Sequence, residues 1–189
     1  MDPSLPILLR VTLAQTLSGN ASTLTKEAFE LLVQEWTAGT YATSLEAAQR
    51  LGTASLSMAQ KLELLPHFRT ASPDSLRALL SPYARVDDAV QAGVYLDAIG
   101  SARSLTLIPP HEFSDMIKAY PVEALPQANA ILQKIQQAEA DKLVKLDRYL
   151  SLLAAGNAER GKKLFWDEKS RCGACHQIGK QGIAVGPDL

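Results

Sequence analysis

The run FELLVQEW at residues 29–36 decides the fold class, because its large apolar residues lie on one face of a helix. Four of its residues follow the i, i+3, i+4, i+7 spacing of a helix that packs on a core. The same spacing returns at Leu76/Leu79/Leu80/Tyr83, Ala92/Tyr95/Leu96/Ile99 and Phe113/Met116/Ile117/Tyr120. No alternating run is long enough to predict a strand, so the sequence predicts an all-α fold.

Capping residues and helix breakers give the predicted helix limits. Thr43 followed by Glu46 fits a capping box, in which two side chains satisfy the first backbone amides of a helix. Ser72-Pro73 places proline in a first turn, where its missing N–H costs little. Gly52 is read as a break between two helices.

The helical patterns recur along the chain. They begin near Phe29, Leu62 and Ala92, and each is followed by a second helix. These starts lie 33 and 30 residues apart. Helical hairpins repeated at this period favour a short α-solenoid of HEAT or TPR type. Because the repeats share no residue signature, an irregular helical bundle is the alternative.

A long leucine-rich stripe predicts one continuous helix over residues 122–156. Gly156 is expected to end this helix and to mark a domain boundary. The sequence therefore predicts three parts: a helical-repeat region over 1–121, a linker helix over 122–156, and a separate domain over 157–189.

Composition excludes several classes of function. The chain has 189 residues and a net charge of −1, so no strong field points to nucleic acid or to an anionic membrane. No stretch approaches the roughly 18–20 apolar residues that span a bilayer. The apolar run at residues 5–9 follows Asp2 rather than basic residues, which is atypical of a signal peptide.

Residues 172–176, Cys-Gly-Ala-Cys-His, carry the chemistry. Cys-x-x-Cys-His is the attachment signature of c-type haem. Cys172 and Cys175 can reach the two vinyl groups of one porphyrin, and His176 is then placed to bind iron from the proximal side. They are the only cysteines of the chain. The predicted cofactor is haem c, covalently attached, with His176 as the metal ligand.

Zinc binding and thiol redox chemistry are the alternatives for Cys172, Cys175 and His176. Zinc would need a fourth ligand, and the chain has no second Cys-x-x-Cys or histidine pair. A thioredoxin-like pair needs strands that alternate with helices. His67 and His111 are expected to face solvent or to cap locally. Trp166 is expected either to touch the porphyrin edge or to pack against neighbouring helices.

Three segments together resemble a known family. They are GNAERGKKLF at 156–165, CGACH at 172–176 and VGPDL at 185–189. They are similar to the haem-binding cytochrome c domain of the Planctomycetes/Verrucomicrobia type, which ends large exported dehydrogenase-like proteins after a HEAT-like helical region. The resemblance implies a class I-like cytochrome c fold in which the Pro187 carbonyl accepts a hydrogen bond from Nδ1–H of His176.

The resemblance also implies a function. Residues 157–189 would be the N-terminal, incomplete part of a cytochrome c domain that transfers one electron at a time and has no catalytic residue of its own. Its partner would be a redox protein or a dehydrogenase domain of the same polypeptide, in the periplasm or another extracytoplasmic compartment. No distal iron ligand is assigned. The alternative is a non-catalytic helical-repeat interaction scaffold that carries no haem.

Overall fold

The computed structural model describes residues 24–153, 155–183 and 186. These residues form eight α-helices, five short 3-10 helices and one two-stranded hairpin, which confirms the predicted all-α class. The chain divides into two compact units, Met1–Asp141 and Lys142–Leu189. The functional domain limits proposed at residues 121 and 156 stay predictions.

The first unit contains six α-helices and the beginning of a long seventh helix. These are α1 Lys26–Ala38, α2 Tyr41–Thr53, α3 Met58–Leu64, α4 Pro73–Leu79, α5 Ala89–Gly100, α6 Pro110–Ile117 and α7 Leu125–Leu153, the last of which ends in the second unit. Short 3-10 helices extend or join them at Leu65–Thr70, Ser81–Tyr83, Leu105–Leu107 and Val122–Ala124.

Side-chain oxygens cap the N-termini of several helices in the first unit. In α3 the N-cap is Ser57, whose Oγ accepts from Gln60 N–H at 3.3 Å while Gln60 Oε1 accepts from Ser57 N–H at 2.9 Å. This is a complete capping box. The box predicted at Thr43 is wrong. Since α2 begins at Tyr41, its N-cap is Thr40, and Thr43 lies inside the first turn.

Hydrogen bonds join parts of the first unit that lie 33 to 37 positions apart along the chain. The Ser104 hydroxyl donates to the Ala71 carbonyl at 2.9 Å across 33 positions, and the Tyr120 hydroxyl donates to the Tyr83 carbonyl at 2.8 Å across 37. The Arg77 guanidinium donates to Glu112 across 35 positions, with Nε–Oε2 at 2.9 Å. The choice between a HEAT-type solenoid and an irregular bundle stays a prediction.

A row of edge-to-face aromatic rings runs through the core of the first unit. Trp36 contacts Phe68, Phe68 contacts Tyr83, and Tyr83 contacts Tyr95, with ring centroids 6.3, 5.3 and 4.8 Å apart. Such pairs stabilise by about 0.5–1.5 kcal/mol each beyond the area that they bury. The aromatic residues expected in the core from their helical spacing are buried, which confirms that prediction.

Gly52 does not break a helix. It lies inside α2, it is buried, and the backbone of α4 crosses directly over it. A Cβ at this position would overlap the Ala78 carbonyl oxygen and lie 2.8 Å from the carbonyl carbon. The interpretation of Gly52 as a break is therefore wrong, because the glycine is required by a close approach of two helices.

The ion pair between Arg77 and Glu112 predicts that the stability of the fold depends on pH. The hydrogen bond and the charge of Arg77 hold the pKa of the Glu112 carboxyl below its usual range. The pair therefore stabilises the fold above the ordinary carboxyl pKa of about 4.3, and this contribution is lost as the pH falls through the lowered value.

Glu112→Gln tests the pair. Since the Arg77 side chain is 43% exposed, we expect the variant to lower the free energy of unfolding at pH 7 by no more than about 1 kcal/mol. The difference from the parent should be smaller at pH 3 than at pH 7, because the pair weakens as Glu112 becomes protonated. Urea denaturation at both pH values measures it. An equal difference at both would contradict the assignment.

The second unit contains the end of α7, helix α8 Ala158–Trp166, a 3-10 turn Cys172–Ala174 and the antiparallel strands β1 Gln177–Ile178 and β2 Gln181–Gly182. Asn157 caps α8, since its Oδ1 accepts from Arg160 N–H at 2.8 Å. Gly179 has φ +62° at the turn between the strands, a conformation that favours glycine.

The predicted long helix has two different halves. In the first half, Ala128, Ile131 and Ile135 are buried, whereas the leucines of the second half are exposed: Leu143, Leu146, Leu150 and Leu153. Among the described residues, no helix is long and apolar enough to cross a bilayer.

Candidate functional site

The predicted haem-attachment residues form one tight turn. The Cys172 carbonyl accepts from Cys175 N–H at 3.2 Å and from His176 N–H at 3.0 Å. These bonds close a single helical turn around the motif. The structure therefore brings both thiols and the imidazole onto one turn, as the spacing predicts.

Backbone bonds tie this turn to the end of α8. Arg171 N–H donates to the Asp167 carbonyl at 3.0 Å, and Ala174 N–H donates to the Arg171 carbonyl at 3.0 Å. The hydroxyl of Ser170 donates back to the Leu164 carbonyl. Arg171 itself has φ +54°, a left-handed conformation that costs a non-glycine residue about 1–2 kcal/mol. The bonds on both sides hold it there.

Both cysteines are free thiols. Cys172 is half-buried, with its Sγ 3.6 Å from the Ser170 carbonyl oxygen, while Cys175 is exposed. Neither cysteine is fully buried. Thiol chemistry depends on access to the sulfur.

Trp166 packs against the middle of the motif. A Cβ added to Gly173 would lie 2.5 Å from two carbons of the Trp166 ring. The indole also contacts Phe165 edge to face, with centroids 4.8 Å apart. Trp166 therefore packs on the Cys-x-x-Cys turn rather than against a neighbouring helix, and its contact with a porphyrin edge stays a prediction. The signal in the sequence was a glycine between the cysteines, with a tryptophan six residues before the first of them.

Two glycines contact His176, one at its imidazole ring and one at its backbone carbonyl. A Cβ on Gly186 would lie 2.7 Å from Cε1 and 2.8 Å from Nδ1 of the imidazole, and Gly186 N–H donates to the Cys175 carbonyl at 2.6 Å. Gly182, at φ +101°, lies directly against the His176 carbonyl. Motif spacing alone did not identify these contacts.

Pro187 lies outside the described residues. The hydrogen bond that the resemblance implies between its carbonyl and His176 stays a prediction. The preceding residue, Gly186, lies beside Nδ1 of the imidazole.

The second unit offers apolar surface around the motif. None of its described residues is fully buried. Leu164, Ile178 and Ile183 are 58%, 44% and 56% exposed. Beside Trp166 lies a groove of about 440 Å³, lined by Phe165, Trp166, Asp167, Glu168, Arg171, Gly173 and Ala174.

The other two histidines lie in the first unit. His67 is half-buried and contacts Trp36 edge to face at 5.7 Å, so it is packed rather than solvated. His111 is exposed in the first turn of α6, as expected. Within the described ranges, no three His, Cys, Asp or Glu side chains form a group able to hold a metal ion.

No protein-family model, no curated protein and no solved structure matches this chain. A functional interpretation therefore rests on the residues of the site and on their geometry.

Proposed function

We propose that residues 157–189 bind haem c covalently and transfer single electrons. Cys172 and Cys175 would form the two thioether bonds, and His176 would bind the iron from the proximal side. When bound, the haem would supply a couple between Fe(II) and Fe(III). The protein would set its potential through ligation, burial and hydrogen bonds.

The observation that carries the proposal is the single turn formed by the motif. The bonds from the Cys172 carbonyl to the amides of Cys175 and His176 hold three donor groups in fixed order on one turn. A zinc site would need a further ligand. A porphyrin needs only two accessible thiols and one axial imidazole, and this donor set matches that requirement.

Each residue has a distinct task in this proposal. Each thiol adds across one vinyl double bond, its sulfur bonding to one carbon and a hydrogen to the other, so that no oxidant is consumed. His176 donates a ring nitrogen to iron, and the backbone of Gly186 restricts rotation of the imidazole. Trp166 supports the turn through Gly173.

The resemblance to the Planctomycetes/Verrucomicrobia-type domain supports a place for this chemistry. In that case electrons would come from a dehydrogenase domain of the same polypeptide or from a separate redox protein. Haem attachment would take place outside the cytoplasm. This assignment of partner and compartment rests on family analogy.

Periplasmic expression with cytochrome c maturation proteins tests the proposal. We expect a haem-staining band that survives denaturing electrophoresis and a pyridine haemochrome with a c-type α band. A second c-type cytochrome matured in the same cells is the positive control. If the control carries haem and this chain carries none, the proposal is wrong.

A helical-repeat scaffold is the second candidate. It is favoured by the first unit, whose continuous core requires no cofactor. In that case the chain would show full helical circular dichroism and no covalent haem in the experiment above. That pattern would also separate this function from a chain that simply fails to fold.

A further inference from the structure

Met58, the first residue of α3, has an unusual pair of hydrogen-bond donors. Its Sδ accepts from Gln91 Nε2 at 3.0 Å and from the Tyr95 hydroxyl at 3.1 Å. A thioether sulfur is a weak acceptor. These separations are within the range usual for oxygen acceptors. Two donors therefore converge on an atom that satisfies them poorly.

The donor pair is set by the core rather than by Met58. Tyr95 is fully buried, and its ring packs against Tyr83. Among the described residues, Met58 supplies the one acceptor for the Tyr95 hydroxyl. A buried hydroxyl with a poor acceptor is costly. Met58 itself is 45% exposed, unlike the buried Tyr95 that donates to it.

We propose that Met58 is an oxidation site whose sulfoxide is stabilised by this donor pair. A hydroperoxide would transfer one oxygen atom to the thioether. With hydrogen peroxide as the oxidant, its O–O bond breaks and an S–O bond forms. The sulfur loses two electrons, and the second oxygen of the peroxide is released as water. The sulfoxide oxygen is a strong acceptor, and it takes over the hydrogen bonds from Gln91 and Tyr95.

Met116 provides the internal comparison. It is 5% exposed in the core of the first unit. Oxidation there would place a polar oxygen among apolar side chains, which disrupts packing. Met58 thus differs from Met116 of the same unit in two ways: its side chain is exposed, and its sulfur has two hydrogen-bond donors. The inference is independent of haem binding.

The rate of oxidation is the first test. The full chain, with its thiols alkylated, is treated with hydrogen peroxide, and peptides are analysed by mass spectrometry. We expect Met58 to gain one oxygen about tenfold faster than Met116, since reactivity follows exposure. Equal rates at the two residues would overturn the proposal.

The stability of the oxidised chain is the second test. We expect the Tm of the parent to stay constant or rise after Met58 oxidation. In Tyr95→Phe the same oxidation should lower the Tm by about 2–4 °C, because the stronger donor is gone. Gln91→Leu serves as a second variant if Tyr95→Phe does not fold. Tyr120→Phe is the matched control, since its hydroxyl donates to a backbone carbonyl instead.

The outcomes are distinct. A parent Tm that holds on oxidation, with a fall in Tyr95→Phe and none in Tyr120→Phe, supports the proposal. A fall of the same size in the parent and in Tyr95→Phe overturns it, since the hydroxyl would then have no part in accommodating the sulfoxide.

Discussion

Gly52→Ala is expected to lower the free energy of unfolding of the first unit by about 3 kcal/mol, through overpacking between two backbones. The new Cβ would overlap the carbonyl oxygen of Ala78. Neither atom belongs to a flexible side chain, so α2 and α4 must separate to admit it. In a chain of this size, the corresponding fall in Tm is about 6–12 °C.

Gly93→Ala is the matched control. Gly93 also lies inside a helix of the first unit, but a Cβ there would meet one atom, Gln127 Oε1, at 3.6 Å. This is ordinary contact, so helix propensity decides the sign. Gly93→Ala should raise stability by about 0.5–1 kcal/mol. Thermal denaturation followed by circular dichroism measures both variants. Similar losses in both would contradict a specific crossing at Gly52.

Replacing Cys172 and Cys175 together by serine is expected to remove all covalently attached haem. Without the thiols no thioether can form, while serine preserves the size of both side chains. The first unit should keep its helical signal, because the substitutions lie in the second unit. Haem staining after denaturing electrophoresis measures the loss.

The single variants separate the two thiols from the histidine. Cys172→Ser and Cys175→Ser should each retain one thioether, with the α band of the pyridine haemochrome shifted to longer wavelength because one vinyl group stays unreacted. His176→Ala should retain some covalent haem but change the spin state of the iron, since the axial imidazole is lost. These assignments are wrong if covalent haem persists in the double variant. They are also wrong if the absorption spectrum of the native His176→Ala protein, recorded without pyridine, equals that of the parent.

The placement of the three candidate residues on one turn could be predicted because it depends on spacing along the chain. Cys172, Cys175 and His176 lie within five residues, so one local turn is enough to assemble them. The contacts that support the turn could not be predicted in the same way. Trp166 reaches Gly173 because the chain reverses at Arg171, and Gly186 reaches His176 after the β-hairpin.

The sequence by itself determined the all-α class, since apolar residues at helical spacing can be buried together only on a helix. It also determined the residues of the Cys-x-x-Cys-His turn. Tertiary structure alone decided the role of Gly52, which depends on the distance between two backbones. It alone decided which half of the stripe on α7 is buried, because the same apolar pattern occurs on the Ile131 side and on the Leu150 side. Periodicity specifies a face of a helix, and only packing specifies what covers it.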